Sequence, residues 1–223
     1  MEPTPIQRNI IQEEGNTVVL AMPGSGKTFV LSEKIRRILE SDVLKDYQGV
    51  IAISYTRKAS GHLKRKTLQN GTWEKNSFFG TIDSFCLTQI ILPFGHYVIG
   101  YPKEEVVPIT ENDLEKDKMV DFEWINKIHP DYEEINEAVW ENLYELFKEG
   151  KVLVSFVRLV ALHIIKNCPA CRAHLKARFK YVFIDEFQDA DTYTNGIFLE
   201  LIGLGLIGNA VGDVNQSIFW FCT

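Results

Sequence analysis

Residues 17–28 read TVVLAMPGSGKT, and the character of the chain changes twice within them. Val18-Val19-Leu20-Ala21 is an apolar, β-branched run of strand length, the pattern of a strand buried on both faces. Past Lys27-Thr28 the spacing becomes helical: Val30, Leu31, Lys34, Ile35, Ile38 and Leu39 recur every three or four residues. Between the two lies Pro23-Gly24-Ser25-Gly26. The two glycines allow the bend that turns successive backbone N–H groups onto phosphate oxygens, and a helix beginning near Lys27 adds its positive dipole end. In that setting the Lys27 ammonium faces the β- and γ-phosphates of a nucleotide, and the Thr28 hydroxyl holds a magnesium ion. The usual pattern G-x-x-x-x-G-K-[ST] is met except at its first position, here Ala21, where smallness is the only requirement.

The bulk numbers fit that start. A chain of 223 residues can bury a proper core and suggests one domain, or one domain carrying an insert. No run of eighteen apolar residues occurs, so no membrane partner is expected. The N-terminal MEPTPIQRN has acid and proline where a secretory signal has bases and an apolar core. Four cysteines with no disulfide-like framework point to a reducing, cytoplasmic setting. The net charge of −6 argues against coating nucleic acid by bulk attraction. Charge is uneven, however. Arg57, Lys58, Lys64, Arg65 and Lys66 form one basic run and Arg172, Lys176, Arg178 and Lys180 another, whereas residues 104–149 hold fifteen acids and four bases.

Taken in order, Thr4-Pro5 caps a short helix to Gln12 with Ile6, Ile10 and Ile11 on one side. Gln7 lies one helix before the phosphate loop, and its amide can both donate to and accept from an adenine edge. A second strand, residues 50–55, ends at Tyr55 and runs into Thr56-Arg57, which open a basic helix. A third, residues 78–82, leads to Asp83-Ser84-Phe85 and another helix. Strands separated by helices predict a parallel sheet whose strand C-terminal ends form the working edge. From about Cys86 to Cys171 the strand signals fade, and residues 114–128, 132–149 and 152–166 predict helices, an all-helical insert. Strand character resumes at Tyr181-Val182-Phe183-Ile184 and ends in Asp185-Glu186, two carboxylates beside the phosphate loop. There Asp185 can hold magnesium through water and Glu186 can take the proton of an attacking water. After a last strand, residues 210–213, the Gln216 amide can sense the γ-phosphate, with Phe219, Trp220 and Phe221 close behind it.

In this order the pieces resemble the UvrD/Rep family of superfamily 1 helicases. AMPGSGKT resembles its motif I, ISYTRKAS motif Ia, GTIDSF the DNA-contact motif that follows, VFIDEFQD motif II and VGDVNQSIFWF motif III. The resemblance implies a P-loop NTPase of RecA-like α/β fold: subdomain 1A from residues 1–85 and 172–223, interrupted by a helical subdomain 1B over 86–171. It implies ATP and Mg2+ as cofactors, with Gln7 on adenine, Lys27 and Thr28 on phosphate and metal, and Asp185 on metal. Glu186 is then the general base, and Gln188 and Gln216 couple nucleotide to DNA. Single-stranded DNA is the implied partner, lined by Tyr55, Thr56, Arg57, Thr81, Ser84, Phe219 and Phe221; aromatic faces suit a path that reads no sequence. The implied activity is ATP-driven movement on DNA, 3′ to 5′, in processes such as DNA repair. A nucleotide-binding regulatory or partner subunit without unwinding activity is the alternative reading.

The sequence departs from the family pattern in three places. Arg57 stands where motif Ia has Asn and can grip phosphate. Asp83 stands where the DNA-contact motif has His, and a carboxylate there repels phosphate. Motif III is followed by Cys222-Thr223 rather than Arg-Gly, so motifs IV to VI and the arginines of a second RecA-like lobe are expected from a partner segment, and these residues alone are expected to bind ATP but turn it over slowly. Finally, His163, Cys168, Cys171 and His174 have ligand chemistry, but they crowd one helical stretch. No stoichiometric zinc is expected there.

Overall fold

The computed structural model describes residues 2–114 and 130–213. In chain order its elements are α1 (Pro5–Gln12), β1 (Thr17–Leu20), α2 (Lys27–Glu40), β2 (Gly49–Ile53), α3 (Arg57–Thr67), β3 (Phe78–Gly80), α4 (Ile82–Phe85) and a π-helical segment (Cys86–Ile91). They continue as α5 (Leu92–Val98), β4 (Val107–Ile109), α6 (Glu137–Lys148), β5 (Lys151–Leu153), α7 (Val157–Asn167), α8 (Pro169–Arg178), β6 (Phe179–Ile184), α9 (Thr192–Gly203) and β7 (Ile207–Gly212). Most of the predicted helix over 114–128 lies outside the described residues. Two compact units result. One comprises Met1–Ile82, Ala173–Ala190 and the chain from Phe198; the other comprises Asp83–Arg172 and Asp191–Ile197.

The first unit is built on a five-stranded sheet of order β1-β7-β6-β2-β3, parallel throughout. Its central strands are apolar on both faces, as the crossover helices of a parallel sheet require; all five residues of β2 are buried. On one face Val50, Ala52, Tyr181, Phe183 and Val211 pack against Leu31, Ile35, Ile38 and Leu39 of α2 and Leu63 of α3. These α2 residues are the ones whose spacing predicts the helix. On the other face Gly208 lacks a Cβ where Phe198 and Ile202 of α9 press close: a Cβ there would meet Ile202 Cδ1 at 2.6 Å. One expectation needs correction. β1 is not buried on both faces: Val19 packs towards the core, whereas Val18 and Leu20, on the opposite face, are 52% and 46% exposed. A β-branched run reads alike at the edge and in the middle of a sheet.

The second unit is helical at its centre. α7, buried along Leu159, Val160, Ile164 and Ile165, packs on the π-helical segment through Cys86, Ile90 and Ile91. The prediction of an all-helical insert is also corrected. β4 and β5 form a short parallel ladder, Val107 opposite Lys151 through Ile109 opposite Leu153, and within residues 132–149 the α-helix starts only at Glu137. Three-residue strands leave too short a run for periodicity to reveal. Cys86, Cys168 and Cys171 are buried free thiols. No single helix among the described residues is long and apolar enough to cross a membrane.

Candidate functional site

Sheet register brings the strand ends together. Leu20 lies opposite Gly212, Ile184 opposite both Ala210 and Ile53, and Ile53 opposite Gly80. Ala21, Asp213, Asp185, Ser54 and Thr81 therefore leave one edge of the sheet.

At Ala21 the phosphate loop begins. Gly24 and Gly26 adopt φ of 77° and 88°, a left-handed conformation that other residues enter at a cost. Gly26 closes the loop as the residue before α2, its carbonyl accepting from Val30 N–H at 3.0 Å. A side chain at Gly26 would also meet Gln7, with Nε2 2.9 Å from the Cβ position. Gln7 braces this loop from behind: Nε2 donates to the Ser25 carbonyl at 3.0 Å and Oε1 accepts from Thr4 N–H at 3.0 Å. Both ends of its amide thus have partners within the chain, leaving one N–H and one lone pair for an adenine.

In front of the loop opens a cavity of about 570 Å³. Pro23, Gly24, Gly26, Lys27, Thr28, Glu186 and Gln188, predicted from sequence, all line it. So do Phe29, His62, Lys66, Asp189 and Asp213, which the sequence reading did not place there. Asp189 belongs to the VFIDEFQD segment and Asp213 to VGDVNQSIFWF, and Lys66 lies in the first basic run. His62 and Phe29 carry no local signal; α3 and α2 bring them in by their helical phase.

Lys27 Nζ lies 3.5 Å from Glu186 Oε2, and Gln188 Nε2 donates to that same oxygen at 2.7 Å. Gln188 Oε1 in turn accepts from Asp213 N–H at 2.9 Å, so one amide links the end of β6 to the end of β7. Glu186 occupies the left-handed region at φ 55°, which turns the chain sharply off β6 and sends Asp185 and Glu186 in different directions. Asp185 is 6% exposed and accepts from Glu186 N–H at 3.1 Å. Burial, with a smaller push from the Glu186 charge, raises its carboxyl to about 6. A buried carboxylate of that kind is relieved by a cation. With a hydroxyl at Thr28, the oxygen donors suit Mg2+, which binds one or two protein oxygens and otherwise water and phosphate.

Farther along the edge, Tyr55 is 55% exposed, and Thr56, Arg57 and Lys58 are exposed with it. The Thr56 hydroxyl caps α3, accepting from Ala59 N–H at 3.1 Å. Thr81 and Ser84 are half-buried where β3 passes into α4, and the π-helical segment follows at once; such segments recur at functional sites. Asp83, the residue expected to repel phosphate, is held by Arg158, which donates to it at 2.7 and 3.2 Å. Nothing local in the sequence announces that partner. Gln216, Phe219 and Phe221 lie outside the described residues. His163 is bound by Tyr132 and Tyr144, and Cys168 Sγ accepts from Cys171 N–H at 3.4 Å. No group of three or more His, Cys, Asp or Glu among the described residues is arranged to hold a metal.

Comparison with known proteins joins these features. The family model for the UvrD/REP helicase N-terminal domain matches residues 4–116 and 102–223. Similar proteins include Gabija protein GajB of Bacillus cereus (strain VD045), 28% identical over 96% of this chain and 40% of that protein. DNA helicase II of Escherichia coli (strain K12) is 28% identical over 92% of this chain and 32% of its own length, and ATP-dependent DNA helicase Rep of the same strain 23% identical over 92% and 35%. The chain thus spans 32% to 40% of the length of these relatives. The mixed α/β fold, its parallel sheet and the phosphate loop agree with that match along nearly the whole sequence, and the chain belongs to the UvrD/REP helicase N-terminal domain family.

Proposed function

We propose that this chain is the ATP-binding lobe, subdomain 1A with a 1B insert, of a DNA helicase or translocase moving 3′ to 5′ on single-stranded DNA. The observation that carries this reading is the meeting of Lys27, Glu186 and Gln188 on one cavity in front of the phosphate loop. The loop N–H groups and the Lys27 ammonium bind the β- and γ-phosphates. Thr28 and Asp185 would hold Mg2+, which neutralises phosphate charge when bound. Both contacts to Glu186 fall on Oε2, so Oε1 is available to accept the proton of an attacking water. Gln188 keeps that carboxylate oriented and ties it to β7. Tyr55, Thr56, Arg57, Thr81 and Ser84 provide the edge along which a single strand lies, bases on the Tyr55 ring and phosphates at the α3 N-terminus.

Calorimetry tests the nucleotide part. Wild type should bind Mg-ATP, and Lys27→Ala should bind at least tenfold more weakly with an unchanged melting curve. Equal affinities would rule the site out. In the same series Glu186→Gln should retain ATP affinity, and single-turnover hydrolysis, already slow for these residues alone, should fall further.

A further inference from the structure

Arg158 lies in the first turn of α7 and belongs to neither the phosphate loop nor the exposed edge. Its Nε and Nη2 donate to the two oxygens of Asp83 at 2.7 and 3.2 Å, a two-pronged pair, and Nη1 donates to Asp191 Oδ2 at 2.8 Å. All three groups are in the helical unit, and their side chains are 25%, 40% and 30% exposed. Asp191 is fixed a second time, its Oδ1 accepting from Thr194 N–H at 2.7 Å. Burial works against the Arg158 charge, but the two carboxylates more than offset it and hold the guanidinium above the usual arginine range.

The two carboxylates occupy telling places in the chain. Asp83 lies between the candidate DNA-contact residues Thr81 and Ser84, while Asp191 is separated by Ala190 alone from the Asp185-to-Asp189 run that carries Glu186 and Gln188. A single guanidinium therefore pins the continuations of both segments, and a rigid arginine fork fixes direction as well as distance. It also offsets part of the Asp83 charge that would otherwise face a phosphate at Ser84, the single guanidinium being shared with Asp191. We propose that Arg158 is a positioning residue that couples the nucleotide-bound state of the Glu186 segment to the grip of the Thr81–Ser84 segment on single-stranded DNA. This rests on the function proposed above.

Coupling is a ratio of affinities and must be the same read from either ligand. The experiment measures binding of a labelled oligo-dT to the full chain with and without a non-hydrolysable Mg-ATP analogue, and binding of the analogue with and without oligo-dT. In wild type the two ratios should agree and differ from one by about fivefold or more. Arg158→Met should keep analogue affinity within about twofold and bring both ratios to about one, with DNA affinity reduced by the uncovered Asp83 charge. Arg158→Lys, a charge without the fork, should fall between. Asp83→Asn and Asp191→Asn, which retain hydrogen-bonding side chains, carry the test if the Met variant does not fold; each should lower the ratio. Unchanged ratios in folded variants would make the cluster purely structural and overturn the proposal. Wild type that binds both ligands independently would overturn it too, whereas failure to bind either one would overturn the proposed function itself.

Discussion

Glu186 is placed where its chemistry, not its conformational preference, decides. A left-handed backbone costs a side-chain-bearing residue about 1 to 2 kcal/mol, and at φ 55° Glu186 bears that cost. Glu186→Gly would relieve it, offset in part by the larger backbone entropy of glycine in the unfolded chain. The variant should therefore be as stable as wild type or more stable by up to about 1 kcal/mol in urea denaturation, while losing ATP turnover. A loss of more than 1 kcal/mol would show that the contacts to Lys27 and Gln188 stabilise the fold more than the strain opposes it. His163 has the opposite character. It is clasped by Tyr132 at 2.8 Å and Tyr144 at 2.5 Å, with the Trp140 ring 4.2 Å away, and burial lowers its pKa to about 4. One tyrosine hydroxyl donates to the bare ring nitrogen and the other accepts from the protonated one, so a second proton breaks the arrangement. Unfolded, the imidazole takes up a proton near its ordinary 6.5. Between these values the unfolded chain binds more protons, so stability falls as pH drops from 6.5 towards 4, by an amount on the order of 2 kcal/mol. His163→Gln cannot charge; its urea midpoint should lose this pH dependence, and an identical acid slope in both proteins would assign the effect to other groups.

Helix α3 joins the two candidate sites, since Thr56 and Arg57 open it on the exposed edge while His62 and Lys66 line the cavity in front of the phosphate loop. Its ends are secured separately. At the start, the Thr56 hydroxyl caps Ala59 N–H; at the end, Arg36 of α2 donates to the carbonyls of Lys66 and Thr67 and pairs with Glu33. Thr56→Ala should cost about 1 kcal/mol, and Thr56→Ser should restore it. If Thr56 also meets DNA, oligo-dT affinity should fall in the Ala variant and recover in the Ser one; affinity unchanged in both would confine the residue to capping. What could be read beforehand divides along similar lines. Thr4-Pro5, the α2 spacing and the strands ending at Ile53 and Ile184 are local patterns, each determined by a few neighbours. The open face of β1 depends on whether another element packs over it, β4 and β5 are too short to show a period, and the Asp83–Arg158 pair links positions far apart in sequence. None of these leaves a local mark. The Gln7 amide oxygen meets Thr4 N–H in a capping box, a local T-x-x-Q pattern, whereas its bond to the Ser25 carbonyl emerges only from the packing of α1 against the loop.

A parallel sheet has two unlike edges, and this one offers a cavity at each. Opposite the phosphate loop, where β6 and β7 begin, Lys34, Arg37, Lys180, Tyr181 and Ile207 line a space of about 330 Å³. Lys34 is 3% exposed there, donates to the Thr17 hydroxyl at 3.3 Å, and is lowered to about 8 by burial. Cationic side chains alone would make this edge as plausible a nucleotide site as the other. The difference lies in the backbone: the left-handed glycines and the start of α2, whose first N–H groups lack helical partners, line the first cavity, whereas at the other edge the cations stand on strand and helix flanks. Hydrogen exchange distinguishes the two edges over the whole molecule at once. A saturating Mg-ATP analogue should slow exchange at residues 22–29, 62–66, 185–189 and 213. Oligo-dT should slow it at 55–60 and 81–84. Protection by the analogue at 180–181 and 207 instead would place the nucleotide at the wrong edge of the sheet and remove the basis for assigning Lys27 and Glu186 their roles. α6 holds Glu137, Glu141 and Glu145, which repel a polyanion, so oligo-dT should leave its exchange unchanged; protection confined to α6 would move the nucleic-acid path away from the edge that carries Tyr55.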